Sequence, residues 1–142
     1  MPTLGYSLRW SMSNQLTFSV PWAALISDNR KYVTGYILSK EYREAKTLIG
    51  QLAMAAAKKA GWTRQEGRLL IDVVVREPDR RRRDLNYQKA FLDGITDSEA
   101  IWHDDSQIRR AVWEFDDLNE RDKTKAGAVV TIAVLDTPVS TP

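Results

Sequence analysis

Cysteine is absent from all 142 residues, which excludes disulfides, thiolate metal sites and cysteine nucleophiles. Histidine occurs once, at His103, so a paired-histidine metal motif is excluded as well. Neither sign of charge dominates: 21 Lys+Arg against 19 Asp+Glu leave a net charge of +2, which by itself names no partner. There is no Gly-rich phosphate loop and no serine-triad elbow. The stretch from Met1 to Trp22 is broken by Arg9, Ser11, Ser13 and Asn14, unlike a signal peptide or membrane span. A soluble cytoplasmic protein is expected.

What remains fits one domain, since 142 residues at 43% hydrophobic content support a single modest core. Residues 1–14 mix Gly, Ser and Asn without a period and read as a flexible lead-in. The domain is expected over 15–136, with a frayed tail at 137–142. Leu16 to Val20 reads as a strand ended by Pro21-Trp22, and Tyr32 to Leu38 as a weaker one. Ser39 caps a helix with apolar residues at Tyr42, Ala45, Leu48, Ile49, Leu52, Ala53 and Ala56, stopped at Gly61. Leu69 to Val75 is β-branched and reads as a central strand. A short helix follows from Asn86 to Ile95, then a turn through Thr96 to Ala100 and strands at Ile108 to Phe115 and Ala128 to Leu135. Strands and two or three helices without regular alternation predict an α+β domain, a mixed sheet packed against helices.

Two segments carry chemistry. Pro78-Asp-Arg-Arg-Arg-Arg-Asp84 sets Arg80, Arg81, Arg82 and Arg83 between Asp79 and Asp84. Four adjacent like charges alone describe a solvated loop, but this run leads into a helix start, and arginine's planar fork suits phosphate. Asp84 or Asn86 is expected to cap that helix. Lys89 in its first turn opposes the helix dipole by roughly 0.3–1 kcal/mol, a cost that a nearby anion offsets. Asn86, Lys89 and Asp93 share one helix face, and Tyr87, Phe91 and Ile95 another. The second segment, Trp102-His-Asp-Asp-Ser-Gln107, supplies Asp104 and Asp105 just before a strand. Adjacent strand residues point opposite ways, so only one of the pair need face a metal. His103 reads as incidental. Two or three aspartates and a lysine are adequate to hold Mg²⁺ and stabilise a phosphate during phosphodiester cleavage.

These segments resemble the RusA-type endodeoxyribonucleases. The match lies in Pro78-Asp-Arg-Arg-Arg-Arg-Asp-Leu, Gln88-Lys-Ala-Phe-Leu-Asp93 and Ile101-Trp-His-Asp-Asp-Ser-Gln-Ile108, with weaker echoes at Val20-Pro-Trp and Asp28-Asn-Arg30. The resemblance implies a RusA-like fold and a homodimer, found in bacteria and often carried by prophages. It implies nicking of four-way DNA junctions with Mg²⁺ (or Mn²⁺), aspartates and one essential lysine. Carried over, the first family aspartate falls on Asp84, the lysine on Lys89 and the later aspartate on Asp105, with Asp104 its companion. Asn29, Arg30 and Arg80 to Arg83 are the expected DNA contacts.

One departure stands out. The family reads Asp-x-Asp-Asn before the helix, whereas this chain reads Asp84-Leu85-Asn86-Tyr87, one carboxylate short. Either a residue has been lost and Asn86 is the family's asparagine, which keeps the three-residue spacing to Lys89, or Asn86 replaces the second aspartate. Asp79 and Asp93 are the nearby auxiliaries. The alternative function is a RusA-like protein that binds branched DNA with impaired cleavage.

Overall fold

The computed structural model describes residues 12–28, 32–34, 37–117 and 122–135. Its centre is a four-stranded mixed sheet made of β1 (Met12–Pro21), β4 (Leu69–Arg76), β5 (Ile108–Phe115) and β6 (Gly127–Leu135), in the order β1-β6-β4-β5. β6 pairs antiparallel with β1 and β4, whereas β4 and β5 run parallel. β2 (Tyr32–Thr34) and β3 (Ile37–Leu38) form a separate antiparallel pair. The mixed sheet and the two α-helices among the described residues make a single α+β domain, in agreement with the sequence.

Strand alternation directs Leu69, Ile71, Val73 and Val75 to one face, in register with Val130 and Ile132 and flanked by Leu16 and Val20. Two helices, α1 (Lys40–Ala60) and α2 (Gln88–Ser98), cover that face. Ile49, Leu69, Ile71, Phe91 and Ile132 are fully buried there, each such side chain contributing roughly 1.5–3 kcal/mol. α1 begins and ends as expected: Ser39 Oγ accepts the Tyr42 amide at 3.1 Å, and Gly61 closes it with φ 67°. The helices meet where both lack a side chain. A Cβ on Gly94 would lie 2.6 Å from Lys46 O, and one on Gly50 2.9 Å from Gly94 O.

Three boundaries differ from the sequence reading. β1 reaches back to Met12, paired with Leu135, so Met12 to Asn14 belong to the sheet and not to a lead-in. Residues 1–11 and the tail at 137–142 lie outside the described residues. α2 starts at Gln88 because Tyr87 is non-helical (φ −111°, ψ 8°) and Asn86 O instead accepts the Asp28 amide at 2.8 Å. It continues to Ser98, where Glu99, left-handed at φ 57°, donates its amide to Thr96 O. The third is the single strand expected from Tyr32 to Leu38, which is split into β2 and β3.

Candidate active site

The chain leaving β4 is wound around one arginine. Arg83 Nη2 lies 2.8 Å from Asp79 Oδ1, and its Nη1 reaches Glu77 Oε2 at 3.3 Å and Arg81 O at 3.2 Å. Its guanidinium carbon sits 4.8 Å from the centre of the Trp22 ring. Burial works against the Arg83 charge, but Asp79 and Glu77 outweigh it and raise its pKa. Asp79 also accepts the Arg81 amide at 2.9 Å, and that bond, with Arg83, holds its carboxyl below the usual range. Of the four arginines, Arg83 is therefore committed to the loop's own structure, whereas Arg80, Arg81 and Arg82 are exposed.

The next link is the start of α2. Neither Asp84 nor Asn86 caps it, correcting that expectation. No side chain from the cap residue Tyr87 does so either. The carboxylate comes from Asp28, whose Oδ1 accepts the Lys89 amide at 3.1 Å. This sets a carboxylate against the backbone N–H groups at the positive end of the helix. Tyr87 packs edge-on against Trp22 with ring centres 6.1 Å apart, and its burial pushes the phenol pKa up. Asp84 and Lys89 are exposed, Asn86 half-buried. Asp93 turns toward α1 and accepts the Tyr42 hydroxyl, so it ties the two helices together.

The second carboxylate pair is built around Gln107. Its Oε1 accepts the amides of His103 (2.7 Å) and Asp104 (3.0 Å), and its Nε2 donates to Gln65 O (2.9 Å) and Gly67 O (3.0 Å). Asp104 in turn caps the short 3-10 turn Asp105–Gln107 in a reciprocal capping box. The Ser106 hydroxyl and amide hold the Asp104 carboxyl below its usual range. Trp102 is fully buried, its indole donating to Thr96 Oγ1 at 2.7 Å. Asp105 is exposed at the mouth of β5, and His103 sits beside Glu66 at 3.4 Å. Most of the Trp102 to Gln107 motif thus serves to present one short turn.

The two clusters occupy opposite ends of the crossover. Ile108 lies beside Leu69, so Asp104 and Asp105 stand at the beginning of β4. Arg83 is held to Glu77, just past the end of β4, and Asp84 follows it. The strand between them is eight residues long, about 23 Å at ~3.3 Å per residue. α2 returns antiparallel between the parallel strands and places Lys89 at the Asp84 end. Among the described residues, no three acidic or histidine side chains converge to hold a metal. One chain's described side chains therefore do not fit the shared ion site expected from Asp84 and Asp105. Asn29 and Arg30 lie outside the described residues.

The domain is thus a mixed sheet with a β4-α2-β5 crossover, carrying an arginine-rich loop at one end and paired aspartates at the other. Residues 21–133 match the family described as Endodeoxyribonuclease RusA. The chain belongs to the RusA endodeoxyribonuclease family, whose activity is the resolution of Holliday junctions, branched DNA being the substrate. No curated protein matches the chain. No helix among the described residues is long and apolar enough to cross a membrane.

Sequence reasoning missed Asp28, Trp22 and Glu77. Asp28 and Trp22 were visible only as an echo of the family, because their partners lie about 60 positions away. Glu77, next to the arginine run, carried a signal that was available: a buried-type acid beside four cations.

Proposed function

We propose that this chain is a divalent-metal-dependent endonuclease that nicks four-way DNA junctions as a homodimer, with each active site shared between protomers. Asp84 and Lys89 of one protomer face Asp104 and Asp105 of the other. The observation that carries this reading is the placement of the two clusters at opposite ends of β4 and α2. A two-fold axis reverses one protomer against the other, so opposite ends become neighbours. Asp84 of one protomer with Asp104 and Asp105 of the other would hold Mg²⁺ or Mn²⁺, which would supply charge neutralisation at the phosphate and an activated water. Lys89, exposed at the positive end of an eleven-residue helix, holds a phosphate oxygen. Exposed Arg80, Arg81 and Arg82 grip the DNA backbone without reading sequence. A bacterial cytoplasm, in a phage or prophage setting, is the compartment such an enzyme suits.

Mixing two inactive variants tests the shared site. Asp84→Asn and Asp105→Asn protomers together contain one intact composite site per heterodimer. Random exchange should recover roughly a quarter of the wild-type sites, as single-strand nicks. No recovery from folded, exchanging dimers would reject the shared site.

A second reading rests on Asn86, which stands where the family has a carboxylate region and is half-buried with its carbonyl bound to Asp28. In that reading the protein recognises junctions without cutting them. Junction gel shifts in EDTA, with no nicking under any divalent ion, would select it.

A further inference from the structure

The outer edge of β5 is a free end of the four-stranded sheet among the described residues. We propose that the β5 strands of two protomers pair antiparallel about a two-fold axis at Val112, joining two four-stranded sheets into one of eight. This rests on the reading of the carboxylate clusters as a shared site. It adds which surface does the sharing.

Three observations lead there. First, β5 ends the sheet, and no described strand pairs with its outer side. It carries eight residues without proline, and its register with β4 is uninterrupted from Arg110 to Phe115. A long regular edge of this kind is a template for another strand. The opposite edge, β1, is irregular between Met12 and Gln15 and ends in Pro21.

Second, the outward side has a register that fits itself. Asp116 donates its amide to Val75 O on β4 at 2.8 Å. Alternation then turns the backbone groups of Arg110, Val112 and Glu114 toward β4, and those of Ala111, Trp113 and Phe115 outward. A two-fold axis in an antiparallel ladder must set one residue against itself. With Val112 there, in a close non-hydrogen-bonded pair, Arg110 faces Glu114 of the partner subunit on one side and Glu114 faces the partner subunit's Arg110 on the other. Ala111 falls opposite the partner's Trp113, small against large, and these are the pairs that exchange backbone hydrogen bonds. Trp113 keeps its packing on Phe91, ring centres 5.6 Å apart, on the helix-covered face. Moving the axis to Arg110 sets guanidinium against guanidinium. Moving it to Ala111 leaves Glu114 opposite Ile108. Moving it to Trp113 sets Val112 against Glu114 and leaves Arg110 opposite Asp116, beyond the end of the strand. Only the Val112 axis pairs the strand's own opposite charges twice.

Third, this pairing makes the ends coincide. Asp104 and Asp105 lead into β5, so reversing the neighbouring copy brings them to the end where that copy's β4 finishes and its α2 begins. Pairing through β1 would hold the clusters apart by the width of both sheets, with strands about 4.8 Å apart.

The absence of native cysteine makes the test direct. Val112→Cys should form a symmetric disulfide under diamide and run at twice the chain mass on a non-reducing denaturing gel, because the close pair brings the two Cα atoms into bonding range. Arg109→Cys, which lies opposite Phe115 and far from its own copy, should not. By light scattering Glu114→Arg should weaken the dimer at least about tenfold, and Arg110→Glu with Glu114→Arg should restore it. A wild-type dimer in which Val112→Cys stays unlinked and Glu114→Arg changes nothing overturns the β5 interface. If the Asp84→Asn and Asp105→Asn mixture still nicks in that case, the shared site stands and another surface forms it. Cross-linking without recovery of nicking supports the β5 interface and rejects the shared site. A monomeric wild-type protein overturns both.

Discussion

Asp28 accepts the backbone N–H of Lys89 at 3.1 Å across 61 positions of sequence, so the start of α2 is capped by the loop that follows β1. Replacing Asp28 with alanine should cost about 1 kcal/mol, while asparagine should retain most of the cap. Urea denaturation checks the stability. Junction nicking should fall in Asp28→Ala at temperatures where the protein is fully folded, because the first turn that carries Lys89 loses its anchor.

The four arginines should separate into two kinds. Arg83→Ala loses the Trp22 stack and the hydrogen bonds to Glu77 and Asp79, a loss of roughly 1–2 kcal/mol, and should leave the salt dependence of DNA binding almost unchanged. Arg81→Ala and Arg82→Ala should barely alter stability. Each should reduce the slope of log K against log salt by about 1 if it contacts a phosphate. Binding titrations across a salt series, with melting curves for each variant, distinguish the two classes.

Acid should loosen the same loop. The Asp79 carboxyl is held below its usual range in the fold, so its contribution is complete above the ordinary carboxylate value and disappears as pH falls through the depressed one. The change therefore belongs below about pH 4. Asp79→Asn should remove that part of the acid titration of stability, and a wild-type profile identical to the variant's would contradict the assignment.

The glycine crossing of the helices should tolerate no side chain. Gly94→Ala places a methyl group 2.6 Å from Lys46 O and 3.2 Å from Ile49 Cβ, and should cost about 1–3 kcal/mol as α2 is pushed off α1. Gly61→Ala is different in kind: nothing lies within 4 Å of its added Cβ, and the penalty comes from the left-handed φ of 67° alone, about 1 kcal/mol. Thermal unfolding of both variants should rank Gly94→Ala as the more damaging.

The elements whose determinants are local were legible in the sequence. Ser39, the spacing from Tyr42 to Ala56 and Gly61 describe α1 completely, and the β-branched run from Leu69 describes a strand buried on both faces. The start of α2 was not, because a local cap was sought at Asp84 or Asn86 and the real one is brought by tertiary folding from Asp28. The carboxylates were found as residue types in order. Their separation was not, because it follows from β4 and β5 being parallel, a property of strand order that no window of sequence contains. Arg83 looked like its three neighbours in the sequence. Only the positions of Trp22 and Glu77 set it apart.

Gln107 spends both ends of its amide on backbone, one on the turn bearing the aspartates and the other on Gln65 and Gly67. The orientation of Asp104 and Asp105 is thereby referred to the segment joining α1 to β4, some forty positions upstream. Residues 65–67, which bear no chemistry of their own, act as the mounting plate of that half of the site. Changes in their backbone would be felt as misalignment of the aspartates before they were felt as loss of fold.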